Sequence, residues 1–243
     1  FGMIYDADGV LVPFDFGLII EQLPTLKNLS LSLTVFSFAQ PIDSSNINPE
    51  HWQTIAGIID THYHAHDGFV ILHGTDTMAY TASALSFMLS GLSKPVVFTG
   101  AQLPISEPRS DARENLITAL EIAAAKNTNG KATVPEVCIY FDYALLRGNR
   151  SKKVQSMQFD AFDSGNYPPL AKAGVTIDYN FALIHTPEHT QPLTLRTTCD
   201  TNIGIIKLFP GIGQPFVNAV LRTPHLRAVV IETYGSGNAP TLD

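Results

Sequence analysis

The ten residues Phe69–Met78, Phe-Val-Ile-Leu-His-Gly-Thr-Asp-Thr-Met, constrain the fold more than any other stretch. Phe69 to Leu72 is an apolar run of strand length. It breaks at His73-Gly74 into the small polar residues Thr75-Asp76-Thr77. Met78, Ala82, Leu85, Met88 and Leu89 then share one face of a helix-period pattern. Strand, glycine turn and helix in that order place Thr75 and Asp76 at the C-terminal end of a strand and the N-terminus of a helix. Ligands bind at that edge in open α/β sheets. Hydroxyls and a carboxylate there can meet a polar ligand, with backbone N–H groups nearby for negative charge. The plain alternative is a helix cap, because Thr and Asp are good N-caps.

The same pattern recurs along the chain. Phe1–Val10 reads as a loop, with two acids and two glycines, and Phe16–Leu23 as a short helix. Leu31–Phe38 alternates and reads as a strand running out into Gln40–Asn46. Asn48-Pro49-Glu50 opens a helix with a good N-cap, a proline at the first position and an acid in the first turn. Trp52, Ile55, Ile58 and Ile59 form its apolar side. Val96–Thr99 is a strand ending in Gly100–Pro104. A helix then begins at Ser110 or Asp111, where Asp111-x-x-Glu114 resembles a capping box. Val137–Phe141 is a further strand, leading to the basic run Leu145–Lys153. Because that run follows a strand, it is expected at the same edge of the sheet, with at least one cation reaching the cleft.

Residues 160–202 look irregular, with Gly, Pro, Asn and Thr spread through them, while Ile203–Leu208, Pro215–Leu221 and Ala228–Glu232 read as strand, helix, strand. Alternation of this kind predicts an α/β fold with a largely parallel sheet flanked by helices. The expected organisation is an N-terminal α/β domain over 1–180, a linker over 181–202 and the start of a smaller α/β C-terminal domain over 203–243.

Composition narrows the function. A formal net charge of -7 argues against nucleic acid as a partner. No run approaches the roughly 18 apolar residues of a membrane helix. Neither a G-x-G-x-x-G after a strand nor a G-x-x-x-x-G-K-[ST] occurs, so no phosphate cradle and no nucleotide cofactor is expected. His62 and His66 are four apart, but no partner sits at the spacing of a zinc motif. They read as an exposed polar helix end, and no metal is expected. Cys138 lies in an apolar strand and Cys199 in a polar stretch, which suits reduced thiols in a cytoplasmic protein. The polar strand ends look built for a small zwitterion with amide and carboxylate groups.

At His73–Met78, continuing through Ala79–Phe87, the chain resembles the bacterial L-asparaginases, more closely their cytoplasmic type I branch. The resemblance also covers Asp43-Ser44-Ser45, Arg147–Arg150 with Lys153, and Gly235–Pro240. It implies the family's Rossmann- or flavodoxin-like N-terminal domain and hydrolysis of L-asparagine to L-aspartate and ammonia through a threonine acyl-enzyme. By analogy Thr75, Asp76 and Lys153 form a polar catalytic relay, in which a lysine serves as base if desolvation lowers its pKa. Asp76 would orient that lysine or bind the substrate's α-ammonium. Asp43, Ser44 and Ser45 would bind the α-amino acid end, and the Ala101 backbone would touch the amide. The resemblance further implies a homodimer or homotetramer, with Asn238 reaching across a subunit interface.

Departures accompany the likeness. The family's N-terminal Thr-Gly-Gly-Thr is absent, so the principal nucleophile is expected just before Phe1, and the chain is expected to be truncated at both ends. The family's loop tyrosine has no match at Val10, leaving Tyr5 as a displaced candidate. Glu232 stands where the type I branch has an arginine linked to allosteric regulation. The alternatives are an amidotransferase subunit of the same fold, or an amino-acid-binding module without the nucleophile.

Overall fold

The computed structural model describes residues 3–5, 11–13, 23–187 and 191–241. The chain divides into two compact units, Phe1–Thr197 and Thr198–Asp243. In the first, β1 (Met3–Tyr5), where a loop was expected, pairs antiparallel with β2 (Leu11–Pro13). Met-Ile-Tyr and Leu-Val are good strand formers, and the acids and glycine between them masked the pair. Most of the helix expected over Phe16–Leu23 lies outside the described residues.

The central sheet contains β3 (Phe69–Leu72), β5 (Val96–Thr99), β6 (Val137–Phe141), β7 (Ala144–Arg147), β10 (Ala171–Ala173) and β11 (Ile177–Tyr179), ordered β11-β10-β7-β6-β5-β3. The strands β3, β5 and β6 are parallel, and β7, β10 and β11 continue the sheet antiparallel. Four two-residue strands make two small pairs outside it: β8 (Lys152–Lys153) with β9 (Phe162–Asp163), and β4 (Leu89–Ser90) with β12 (Thr194–Leu195). Among the described residues of 160–202 only the short strands β9 to β12 give extended structure, in keeping with a segment expected to be a linker with a little of it. Its strands are only two or three residues long, too short to show a period between the turn residues.

Helices α1 (Pro49–His62), α2 (Met78–Met88) and α3 (Ala112–Ala124) cover the sheet. Ile55, Ile59, Met78, Ala82 and Leu85 pack with Phe98 and Ile139 on one face; Ala119, Ile122 and Ala123 pack with Val97, Cys138 and Tyr140 on the other. The middle strands are thus buried on both sides, as a continuous apolar run predicts. Asn48 caps α1 through Glu50 N and His51 N, as expected.

Leu31–Phe38 is not a strand. No strand pairs with it among the described residues, and Leu33, Val35, Phe36 and Phe38 are exposed. An alternating pattern reports fitness for a pleated surface, but ladder hydrogen bonds need a neighbour. The basic run also departs from expectation. Strand β7 is antiparallel to β6, with Arg147 opposite Cys138, so the run starts at the opposite edge of the sheet from Thr75.

The second unit pairs β13 (Ile203–Lys207) in parallel with β14 (Ala228–Glu232), joined through α4 (Gln214–Leu221), matching the strand–helix–strand expectation. No helix among the described residues is long and apolar enough to cross a membrane.

Candidate active site

The turn after β3 is built by close approach. His73 N extends the parallel ladder by one bond, to Thr99 O at 2.9 Å. A Cβ at Gly74 would lie 2.6 Å from Ser44 Oγ and 2.7 Å from Ser44 Cβ, so only glycine lets the Asp43–Asn46 segment lie against this turn. Thr77 Oγ1 then donates to Ser44 O at 2.6 Å, and Ser44 is buried. Asp43 caps the short 3-10 turn Ser44–Asn46, and its carboxylate accepts from Ser45 N at 2.9 Å. That bond holds the Asp43 carboxyl below its ordinary range.

Lys153 arrives from the far edge of the sheet. The 3-10 turn Gly148–Arg150 runs against α2, where a Cβ on Gly148 would meet Val137 O at 2.9 Å and Ala82 Cβ at 3.2 Å. Beyond it, Lys153 Nζ donates to Thr75 Oγ1 at 2.7 Å and to Asp76 Oδ1 at 2.7 Å. The Lys153 side chain is 16% exposed and that of Asp76 65%. A carboxylate this open adds little stability, about 0–1 kcal/mol for a surface ion pair. Three polar groups converge here without a large stabilising return, which suits a site for chemistry.

The third wall is the loop after β5. Thr75 Oγ1 donates to Gln102 Oε1 at 3.4 Å, and Gln102 Nε2 donates to Gln158 O at 2.9 Å. Asp111 accepts from Gln102 N at 3.0 Å and from Leu103 N at 3.2 Å. The expected capping box at Asp111 is therefore absent: this carboxylate serves the neighbouring loop, and Ser110 Oγ accepts from Ala112 N instead. Asn115 Nδ2 donates to Gly100 O at 3.0 Å and to Asp111 Oδ2 at 3.1 Å, while Asn115 Oδ1 accepts from Asp142 N at 3.3 Å. Ala101 is thus held between two residues anchored to α3. Asp142 lies beside this clamp; partial burial, then the charges of Asp160 and Asp111, raise its carboxyl above the ordinary range.

Beneath the turn His73 is buried, with Nδ1 2.7 Å from Gly74 O and Nε2 2.8 Å from Thr81 Oγ1. Trp52 Nε1 donates to the same Thr81 oxygen at 3.1 Å. Desolvation lowers the His73 pKa, opposed in part by the Gly74 carbonyl.

The structure joins Thr75, Asp76 and Lys153 by hydrogen bonds and packs Ser44 against Gly74, with Asp43, Ser45 and Ala101 on the adjoining loops. The backbone of Tyr5 lies in β1, and its side chain is outside the described residues. Asn238 lies in the second unit, where its backbone oxygen accepts from Tyr234 N at 3.0 Å and its Oδ1 from Ser236 Oγ at 3.2 Å. Sequence reasoning missed Trp52, Thr81, Asp111 and Asn115 as site supports. The one available signal was Asn115, a polar residue on the apolar stripe of its helix. Arg147 does not enter the site; it pairs with Glu136. His62 and His66 stack edge to face at 5.9 Å, and no metal-ligating cluster occurs among the described residues. Cys138 is buried in the first unit and Cys199 exposed in the second, both free.

Comparison with known proteins identifies the family. The family described as asparaginase, N-terminal matches residues 1–185. L-asparaginase 1 of Escherichia coli K12 is 45% identical over 207 residues, covering 85% of this chain and 59% of that protein. The 60 kDa lysophospholipase of Mus musculus is 43% identical over 218 residues, 90% of this chain but 37% of its own length. The chain therefore spans less than two thirds of these relatives. The crystal structure of L-asparaginase I from Vibrio cholerae superposes with a TM-score of 0.85 at 38% identity, covering 99% of this chain and 71% of that one. With the family model matching residues 1–185 and a relative 45% identical over 85% of this chain, the chain belongs to the asparaginase family.

Proposed function

We propose that this chain carries the catalytic relay of an L-asparaginase of the type I, cytoplasmic branch, hydrolysing L-asparagine to L-aspartate and ammonia through a threonine acyl-enzyme. The observation that carries this assignment is the double engagement of Lys153, 2.7 Å from both Thr75 Oγ1 and Asp76 Oδ1. A threonine hydroxyl is a weak nucleophile near neutral pH and needs a base within hydrogen-bond reach. Lys153, paired with Asp76 as an ammonium at rest, is such a base once it has released one proton to solvent, and the Asp76 carboxylate stabilises the ammonium re-formed when it takes the threonine proton. The hydroxyl proton passes to the relay and the oxygen bonds to the amide carbon. The C–N bond then breaks, and ammonia leaves with the returned proton. Water repeats the sequence on the ester and releases aspartate. No metal or cofactor enters these steps.

Asp43, Ser44 and Ser45 would hold the α-amino acid end, and the Ala101 backbone the amide. Their support is position: the two loops flank Thr75, one packed on Gly74 and one hydrogen-bonded through Gln102. Asn238 and Tyr5 are assigned accessory roles, Asn238 from a second subunit of a homodimer or homotetramer.

The test is ammonia release from L-asparagine by the whole protein, with Thr75→Ala and Lys153→Met alongside. Near-wild-type turnover in both variants would overturn the relay. Preferential cleavage of a lysophospholipid, or ammonia release only from glutamine in the presence of a partner subunit, would move the assignment to another activity on the same fold.

A further inference from the structure

We propose that Trp52, Thr81 and His73 form a buried, one-directional hydrogen-bond relay that fixes the Gly74–Thr75 peptide and so sets Thr75 Oγ1 against Lys153 Nζ, with His73 as a positioning residue. The functional half of this inference rests on the asparaginase assignment; the geometric half does not.

The direction of each bond follows from its partners. Gly74 O offers only lone pairs, so His73 Nδ1, at 2.7 Å, carries a hydrogen. A neutral imidazole has one N–H, so Nε2 is an acceptor. Thr81 Oγ1, at 2.8 Å, therefore donates to it. The Trp52 indole N–H can only donate, and it occupies a lone pair of the same hydroxyl oxygen at 3.1 Å. Each link has a single polarity, running from Trp52 on α1 through Thr81 on α2 to the turn after β3.

The end of this relay matters most. Holding Gly74 O holds a planar peptide whose other half is the N–H of Thr75. The opposite side of the turn is fixed by Ser44 against Gly74 and by Thr77 Oγ1 on Ser44 O. Thr81 is fully buried and His73 is 9% exposed, so water does not compete for these bonds. A catalytic hydroxyl displaced by about 1 Å can lose roughly 100-fold in rate, and rotation of this peptide would produce a displacement on that scale.

The experiment uses side chains that replace one imidazole nitrogen at a time. The amide of Asn places its N–H near Nδ1, and that of Gln near Nε2. In the whole protein, His73→Asn is expected to keep kcat within about threefold of wild type, whereas His73→Gln and Thr81→Val lower kcat about tenfold, the effect of losing one buried hydrogen bond. KM stays unchanged in all three. Independently of any substrate, 15N spectra of histidine-labelled protein near neutral pH should show His73 protonated at Nδ1 and bare at Nε2. The Thr75 amide cross-peak should shift in His73→Gln and Thr81→Val and stay in place in His73→Asn. An Nε2–H tautomer, or a Thr75 amide indifferent to all three changes, overturns the relay. Equal kcat in the Asn and Gln variants, falling only with melting temperature, reduces it to core packing. If the wild-type protein releases no ammonia from asparagine while the spectra behave as stated, the relay stands and the asparaginase assignment fails.

Discussion

Two ion pairs within one short basic run make opposite use of the same elementary attraction. Arg147 meets Glu136 with Nε–Oε2 at 2.6 Å and Nη2–Oε1 at 2.9 Å, and also donates to Tyr167 Oη and Leu183 O. Its guanidinium lies 4.7 Å from the Tyr167 ring centre, and Glu136 further accepts from His185 N. The planar fork is matched by acceptors, and only 9% of the Glu136 side chain is exposed. Six residues later, Lys153 divides one ammonium between a hydroxyl and a carboxylate that is 65% exposed. The first pair is saturated by the protein and ties the segment around Leu183 to the sheet. The second leaves acceptor capacity on Asp76 and a reactive oxygen on Thr75. Completeness of partners separates a structural charge from one available to substrate.

Removing each partner should divide stability from activity. Lys153→Met is expected to lower kcat/KM for ammonia release by roughly 10³-fold, the scale of losing a member of a proton relay. Its unfolding free energy should stay within about 1 kcal/mol, because its carboxylate partner is open to water. Arg147→Met should do the reverse. It leaves the Glu136 carboxylate buried and unpaired, at a cost of about 3 kcal/mol read from urea unfolding, with near-normal turnover in the folded fraction. An activity loss in Arg147→Met at unchanged stability would erase the contrast.

Asn115→Ala falls between the two. It abandons the bonds to Gly100 O, Asp111 and Asp142 N, so about 2 kcal/mol of stability is expected to go. Because the same side chain holds the Ala101 loop, KM for asparagine should rise as well, which steady-state kinetics will show. The smallest effect is a pH slope. The His73 pKa is lowered below 6.5, so the folded state stays neutral where the unfolded chain takes up a proton. The contribution is complete above pH 6.5 and declines as pH falls from 6.5 toward the folded value, by at most about 1.4 kcal/mol per unit. Urea midpoints between pH 7.5 and 5.5 should flatten in His73→Asn. The Asp43 carboxyl, also lowered, acts with the same sign only in the more acidic window below its ordinary 3.8.

Much of this was legible in the chain itself. Phe69–Leu72, Gly74 and the Met78–Met88 periodicity specify strand, turn and helix because each signal lies within one or two turns of its neighbours. The α1 cap at Asn48 and the three elements of the second unit are equally local. The resemblance at His73–Phe87 and at Arg147–Arg150 with Lys153 singled out Thr75, Asp76 and Lys153, and the structure brings their polar atoms within hydrogen-bond reach.

Sheet order and packing decided the rest. Leu31–Phe38 has a strand's pattern and no strand beside it, because pairing belongs to two segments and a pattern to one. Asp111 gave up its cap to the Gln102 backbone, a choice visible only once loop and helix are adjacent. Lys153 follows a strand that runs antiparallel, and returns to Thr75 because Gly148 lets the chain lie against α2. The sequence by itself determined that a hydroxyl and a carboxylate stand in the turn between a strand and the helix that follows it. The resemblance named Lys153, 78 positions away, and only the tertiary structure shows how it reaches Thr75, because that distance is closed by packing, which no local periodicity records.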